Sequence, residues 1–124
     1  MNSHVVGGIQ ANGKAFLGSV DVHGMTIQNN NFYTTGMATY FCPVLLTNAG
    51  EPESISESDA RKLLEECFRV LSYRDKLCST KIQIGRVDST GVHIDEPYEF
   101  EGTWDHDRFK SYTNEHSRDI RFWM

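Results

Sequence analysis

The stretch from Ile55 to Asp75, I-S-E-S-D-A-R-K-L-L-E-E-C-F-R-V-L-S-Y-R-D, constrains this chain more than any other. Ser56 is a favoured N-cap residue, and Asp59 three positions on gives a weak capping box. Glu57 and Asp59 put negative charge in the first turn, while Arg69 and Arg74 put positive charge near the end, as a helix dipole prefers. Ala60, Leu63, Leu64, Cys67, Val70 and Leu71 recur at spacings of three and four and so share one face. Glu57, Arg61, Lys62, Glu65, Glu66 and Arg69 fall mostly opposite and read as a solvated face. The pattern predicts a helix that must lay one side against a sheet or another helix.

What precedes it reads as a meander of short strands. His4 to Ile9 is a short apolar run, Asn12-Gly13 is a strong hairpin signal, and Lys14 to Asp21 follows as a second strand. Gly18 inside that strand predicts a bulge or a close backbone approach. His23-Gly24 turns the chain into Met25-Thr26-Ile27. Met37, Tyr40, Phe41, Val44 and Leu45 then hold helical spacing, and Pro43 should kink that helix or mark a first turn. Beyond the long helix, Lys81 to Asp88 alternates as a strand, irregular at Gly85, and Ser89-Thr90-Gly91 turns it into Val92-His93-Ile94. From Asp95 onward no periodicity persists, although Tyr98, Phe100, Trp104, Phe109, Tyr112, Phe122 and Trp123 are scattered there. The order predicts one α+β domain with its helices layered on a sheet, with five short strands to cover two long helices.

Composition excludes several function classes. Twelve basic against seventeen acidic residues, with no Lys/Arg cluster, argue against nucleic acid as a partner. No apolar run is long enough to span a membrane, and the first residues lack the form of a signal peptide. Cys42, Cys67 and Cys78 form an odd set without CxxC spacing, and the first two sit on apolar faces, as in a reducing compartment. The histidines His4, His23, His93, His106 and His116 share no ligand spacing with one another or with cysteine, so neither a metal nor another cofactor is indicated. Gly7-Gly8 and Gly36 fit no phosphate-binding pattern. Glu65-Glu66 and the carboxylates of Asp105 to Asp107 read as plain surface. Cys78, beside Arg74 and Asp75, could have its pKa lowered by the cation, although a partly buried thiol is the simpler reading.

The order Val6-Gly7-Gly8, Phe16 to Asp21, Thr35-Gly36, Pro43 to Leu46, Ser58-Asp59-Ala60, Val70 to Asp75 and Ile82-Gln83-Ile84 resembles the β-type subunits of the 20S proteasome. Tyr73-Arg74-Asp75, the strand Lys81 to Ile84 and a tail carrying Thr103-Trp104-Asp105 resemble most the non-catalytic subunit at the seventh position of the β ring, β type 4 in mammalian naming. The resemblance runs from Val5 to about Asp105. It implies the C-terminal part of an N-terminal-nucleophile hydrolase fold, an αββα four-layer sandwich. Residues 1–95 would be the partial core and 96–124 a C-terminal tail. The first strands, first helices and N-terminal threonine region of such a subunit have no counterpart here.

The resemblance also bears on catalysis, position by position. Active members use an N-terminal threonine, whereas this chain begins Met1-Asn2. They carry a serine within Gly-Ser-Gly before a helix; the corresponding triplet here is Gly36-Met37-Ala38. They carry Arg-Asp followed three residues later by serine; Arg74 and Asp75 match, and Cys78 replaces the serine. The expectation is a non-enzymatic, architectural subunit of the cytoplasm and nucleus. It would contact α- and β-type neighbours in a double ring, serve ubiquitin-dependent degradation, and keep Arg74–Asp75 as a structural pair ending the helix. Phe100, Trp104, Phe109 and Tyr112 are the candidate partner contacts of the tail, since aromatic side chains are favoured interface anchors. Two other readings stand beside this one. One is an autonomous small α+β binding module, and the other a thiol enzyme pairing Cys78 with a histidine such as His93.

Overall fold

The computed structural model describes residues 3–28 and 31–102. Strands β1 (His4–Ile9), β2 (Ala15–Val20) and β3 (Thr26–Gln28) form an antiparallel meander in the order β1-β2-β3. The Asn12-Gly13 signal is used in the connection 10–14, where the Gln10 N–H donates to the Lys14 carbonyl at 2.8 Å and closes a loop of three residues. The Gly13 N–H donates to the Gln10 carbonyl at 2.8 Å, and Gly13 takes φ 79°, open to glycine at little cost. The register runs unbroken from His4↔Val20 to Ile9↔Ala15, so Gly18 makes no bulge there. It is a close approach instead: a Cβ at Gly18 would lie 3.0 Å from the Phe16 ring and 3.2 Å from the Ile27 carbonyl oxygen.

The proline-containing helix is two helices, α1 (Ala38–Phe41) and α2 (Pro43–Asn48), with Pro43 opening the second. Proline has no N–H to give, so the first turn is where it costs least. A 3₁₀ turn, Pro52–Ser54, leads to α3 (Glu57–Arg74). Its start is capped as the sequence predicts, the Asp59 N–H donating to Ser56 Oγ at 3.2 Å. At its end the Asp75 N–H donates to the Leu71 carbonyl at 2.7 Å.

The segment predicted as one strand from Lys81 to Asp88 divides into two. Strand β4 (Lys81–Ile82) pairs with β7 (Tyr98–Glu99), while β5 (Gly85–Asp88) pairs with β6 (Gly91–Ile94) across the Ser89-Thr90 turn. The pairing with β7 had no sequence signal, because two-residue strands are too short to show a period. It also carries ordered packing past residue 95, where the core was expected to give way to a tail. Phe100 is buried with Ile82 and Ile84, and Phe68 and Tyr98 lie against them.

A second cluster joins Cys42, Cys67 and Leu71, flanked by Ala38, Phe41, Leu45, Leu46, Phe68 and Cys78. Phe68 touches both clusters, so α3 is the spine between α1–α2 and the C-terminal strands. Its polar face is not simply solvated. Arg61 Nη2 donates to Asp95 Oδ2 at 2.6 Å, Arg86 Nη1 to Glu57 Oε1 at 2.8 Å, and the Tyr98 hydroxyl to Glu65 Oε1 at 2.6 Å. Glu65, read from sequence as plain surface, therefore holds β7 to the helix. The chain is α+β, as predicted.

Candidate functional site: a thiol-lined cavity

Helical spacing puts Leu64, Cys67, Phe68 and Leu71 on one side of α3, facing Ala38, Cys42 and Leu46 from α1–α2. Between them lies a cavity of about 420 Å³, lined also by Val5, the 33–35 segment, Met37, Asp75 and Cys78. Three positions singled out from sequence, Met37, Asp75 and Cys78, thus line one cavity although Met37 is far in the chain from the other two. Gly36, at φ 61°, turns the backbone just before Met37, and its carbonyl accepts from the Thr39 N–H at 3.2 Å.

The remaining site residues divide as follows. Arg74 is the exposed last residue of α3, and no ion pair joins it to Asp75 among the described residues. Asp75 ends the helix through local backbone contacts: its carboxylate accepts the Leu77 N–H at 3.0 Å and its carbonyl the Cys78 N–H at 3.0 Å. The expected Arg–Asp pairing is therefore replaced by a local cap, because a two-residue separation lets the carboxylate reach backbone directly. Phe100, expected in a partner-binding tail, fills the chain's own second cluster. Trp104, Phe109 and Tyr112 lie outside the described residues.

The electrostatics run against an activated thiol. Burial pushes the Cys78 thiol up, and the Asp75 carboxylate adds to the rise, the reverse of the lowering that Arg74 suggested from sequence. Burial also raises Cys42, and it pushes Cys67 to about 12 with Cys42 beside it adding to the effect. The Cys42 thiol donates weakly to the Cys67 carbonyl at 3.8 Å. All three cysteines are free thiols, held in the protonated, poorly nucleophilic form. His93 is occupied elsewhere: its Nε2 lies 2.9 Å from Thr90 Oγ1 and 3.4 Å from Asp88 Oδ1 in the β5–β6 hairpin. No hydrogen bond or ion pair links it to Cys78, whose Sγ donates to the Ser79 carbonyl. Among the described residues, no group of three or more His, Cys, Asp or Glu could hold a metal ion.

Sequence reasoning missed Tyr33. It lines this cavity and also a second one of about 300 Å³, bounded by Leu17, Phe32, Ile55 and Ala60. Its hydroxyl is buried without a hydrogen-bond partner among the described residues. Nothing in the local sequence N-N-F-Y-T-T marks it, since an orphan hydroxyl is visible only once its surroundings are assembled.

The proteasome subunit family model matches residues 1–87. The chain belongs to the proteasome subunit family. It is 33% identical over 112 residues to the proteasome subunit beta type-4 of Arabidopsis thaliana, covering 90% of this chain and 44% of the relative. The beta type-4 subunit of Dictyostelium discoideum is 39% identical over 101 residues, 81% of this chain and 38% of the relative. A probable beta type-7 subunit of Encephalitozoon cuniculi is 42% identical over 82 residues, 60% of this chain and 36% of the relative. Within the family the likeness is to the type-4 kind of β subunit, and the chain spans about two fifths of the length of the curated relatives it matches. Such a match removes the reading in which the order of motifs is a coincidence in an unrelated binding module.

Proposed function

We propose that this chain serves as a non-catalytic, architectural subunit of the 20S proteasome β ring. It sits among α- and β-type neighbours of the double ring in the cytoplasm and nucleus and supports ubiquitin-dependent degradation without performing peptide hydrolysis. Its α+β elements belong to one part of the αββα sandwich that the family resemblance implies. The observation that carries the non-catalytic reading is the cavity itself. At the positions where active members of the family are expected to hold serines, a thioether (Met37) and a protonated thiol (Cys78) line the wall beside Asp75. A thioether donates no proton and accepts hydrogen bonds only weakly, so neither group can support an activated nucleophile in the way a hydroxyl does.

The test has two readouts on the tagged chain expressed in cells. Native mass should place it in a particle far larger than the 14.1 kDa chain, together with other proteasome subunits. A Met37→Ser, Cys78→Ser double variant should enter the same particle and add no peptidase activity. Recovery of the chain only as a monomer would sink the architectural role. New peptidase activity in the double variant would show that those two positions alone had silenced it.

A further inference from the structure

We propose that Asn12-Gly13, in the turn between β1 and β2, is a site of spontaneous deamidation. Its main product, an isoaspartyl residue, is a substrate for a repair-type protein carboxyl methyltransferase that uses a sulfonium methyl donor. This chemistry is independent of the ring role.

Asn12 is the one asparagine of the sequence that glycine follows. In the reaction the Gly13 nitrogen attacks the side-chain carbon Cγ of Asn12. A bond forms between them, the bond from Cγ to Nδ2 breaks, and ammonia leaves with the proton that the Gly13 nitrogen gives up. Water then opens the resulting cyclic imide at either carbonyl, giving aspartate or isoaspartate, and is the sole co-reactant. Glycine matters because any larger residue sets a Cβ beside the attacking nitrogen. Around Gly13 no atom beyond its chain neighbours lies within 4 Å of where a Cβ would stand, so the closing ring meets no obstacle.

The fold supplies two further conditions. Residues 11–14 are all exposed, so water reaches the turn. The Lys14 N–H donates to Asn12 Oδ1 at 2.9 Å, which folds the side-chain amide back along the turn toward Gly13. That N–H points at the oxygen on which negative charge grows when Cγ is attacked, as a donor in an oxyanion hole does. One contact opposes the step: the Gly13 N–H donates to the Gln10 carbonyl at 2.8 Å, and this bond must open before the nitrogen loses its proton. A single exposed backbone hydrogen bond slows the reaction by about two- to tenfold, too little to stop it. Asn31 and Asn48 lack this set. Phenylalanine follows Asn31, whose Nδ2 donates to Glu51 Oε2. Asn48 closes α2, and the nitrogen that would attack it, that of Ala49, donates to the Leu45 carbonyl.

The products differ in what they do to the hairpin. Aspartate at position 12 keeps an Oδ1 for the Lys14 N–H and adds a negative charge. Isoaspartate routes the main chain through the side-chain carbon and so lengthens a connection that sets the Ile9↔Ala15 register. It also leaves a free α-carboxylate on an exposed turn, which is the group such a methyltransferase esterifies.

The experiment ages the full 124-residue chain at physiological pH and temperature and locates deamidation by fragmentation mass spectrometry. Each sample is also offered to a protein isoaspartyl methyltransferase with labelled S-adenosylmethionine. The amide-to-acid mass gain should appear at Asn12 while Asn31 and Asn48 stay unchanged, and methyl label should rise in step with it. The folded chain should react within about tenfold of the rate of the same chain unfolded in urea. Asn12→Ser, which keeps a turn-forming side chain, should lose the label. The proposal is overturned by an aged chain without mass gain at Asn12, by a fold that protects the site far beyond that factor, or by mass gain without label. Label undiminished in Asn12→Ser overturns it as well.

Discussion

The three cysteines are the residues whose chemistry this fold alters most. A thiol whose folded pKa exceeds its unfolded value stabilises the fold while protonated. Its contribution is complete below the unfolded value and is lost as pH rises through the folded one. For Cys67 that window runs from 9.0 to about 12. Urea melts should therefore show a stability that begins to fall above pH 9, and Cys67→Ala should flatten that fall while lowering stability at pH 7. An unchanged alkaline slope in the variant would remove Cys67 as its cause. The same raised values predict slow alkylation of all three thiols at pH 7, with partly exposed Cys78 the fastest and Cys42 and Cys67 behind it. Rapid stoichiometric labelling of Cys78 would contradict the electrostatics and revive the idea of a reactive thiol. The cysteine count and the apolar position of Cys42 and Cys67 were legible in the sequence. The favoured sequence reading of Cys78 as a partly buried thiol holds as well, whereas the alternative of a pKa lowered by a neighbouring cation does not. Sequence adjacency suggested Arg74 as the neighbour that matters, whereas helix geometry leaves Arg74 exposed and brings the Asp75 carboxylate and the core to bear on Cys78.

Among the elements, α3 was legible because cap, charge placement and apolar period all agree over 18 residues. The β1–β2 hairpin was legible for a similar reason, with turn chemistry between two runs of matched length. What escaped was pairing across sequence distance. Strands β4 and β7 each carry two residues, and their union is decided by Phe100 completing a cluster with Ile82 and Ile84, which no local pattern announces. The polar face of α3 misled for the same reason, since Arg61 and Glu65 find partners 34 and 33 residues away. Substitutions separate these contributions. Leu71→Ala, at the centre of the cysteine cluster, should cost about 2–5 kcal/mol in denaturant unfolding. Tyr98→Phe, which removes only a part-buried hydrogen bond to a carboxylate, should cost about 1.5–3 kcal/mol at most. Gly18→Val should disrupt the meander, because its side chain would collide with Phe16 and the Ile27 carbonyl. A Gly18→Val variant as stable as the parent would mean that this sheet contributes little to the cooperative unit.

At the scale of the whole molecule, the fold leaves much apolar surface uncovered. Six hydrophobic side chains form the buried core of the described residues, while Val5, Val6, Ile9, Met25, Ile27, Tyr40, Val44 and Leu77 remain exposed. Sequence alone had signalled this imbalance as a sheet too small for its helices. The question is which parts of the chain complete their burial internally and which depend on neighbours, and truncation from the C-terminal side answers it if the cut is chosen from the packing. Cutting after Asp95 removes β7 and Phe100, strips Ile82 and Ile84 of their cover, and should cost at least the roughly 3–5 kcal/mol of a buried phenylalanine. A failure of that variant to assemble would report misfolding, not a lost partner contact. Cutting after Gly102 keeps both clusters and removes Trp104, Phe109 and Tyr112. If those aromatic residues anchor a neighbouring subunit, the variant should still unfold cooperatively in denaturant and yet be lost from the large particle. Assembly equal to that of the intact chain would leave residues 103–124 without a part in the ring, and its contacts would then have to come from the exposed faces of the folded elements.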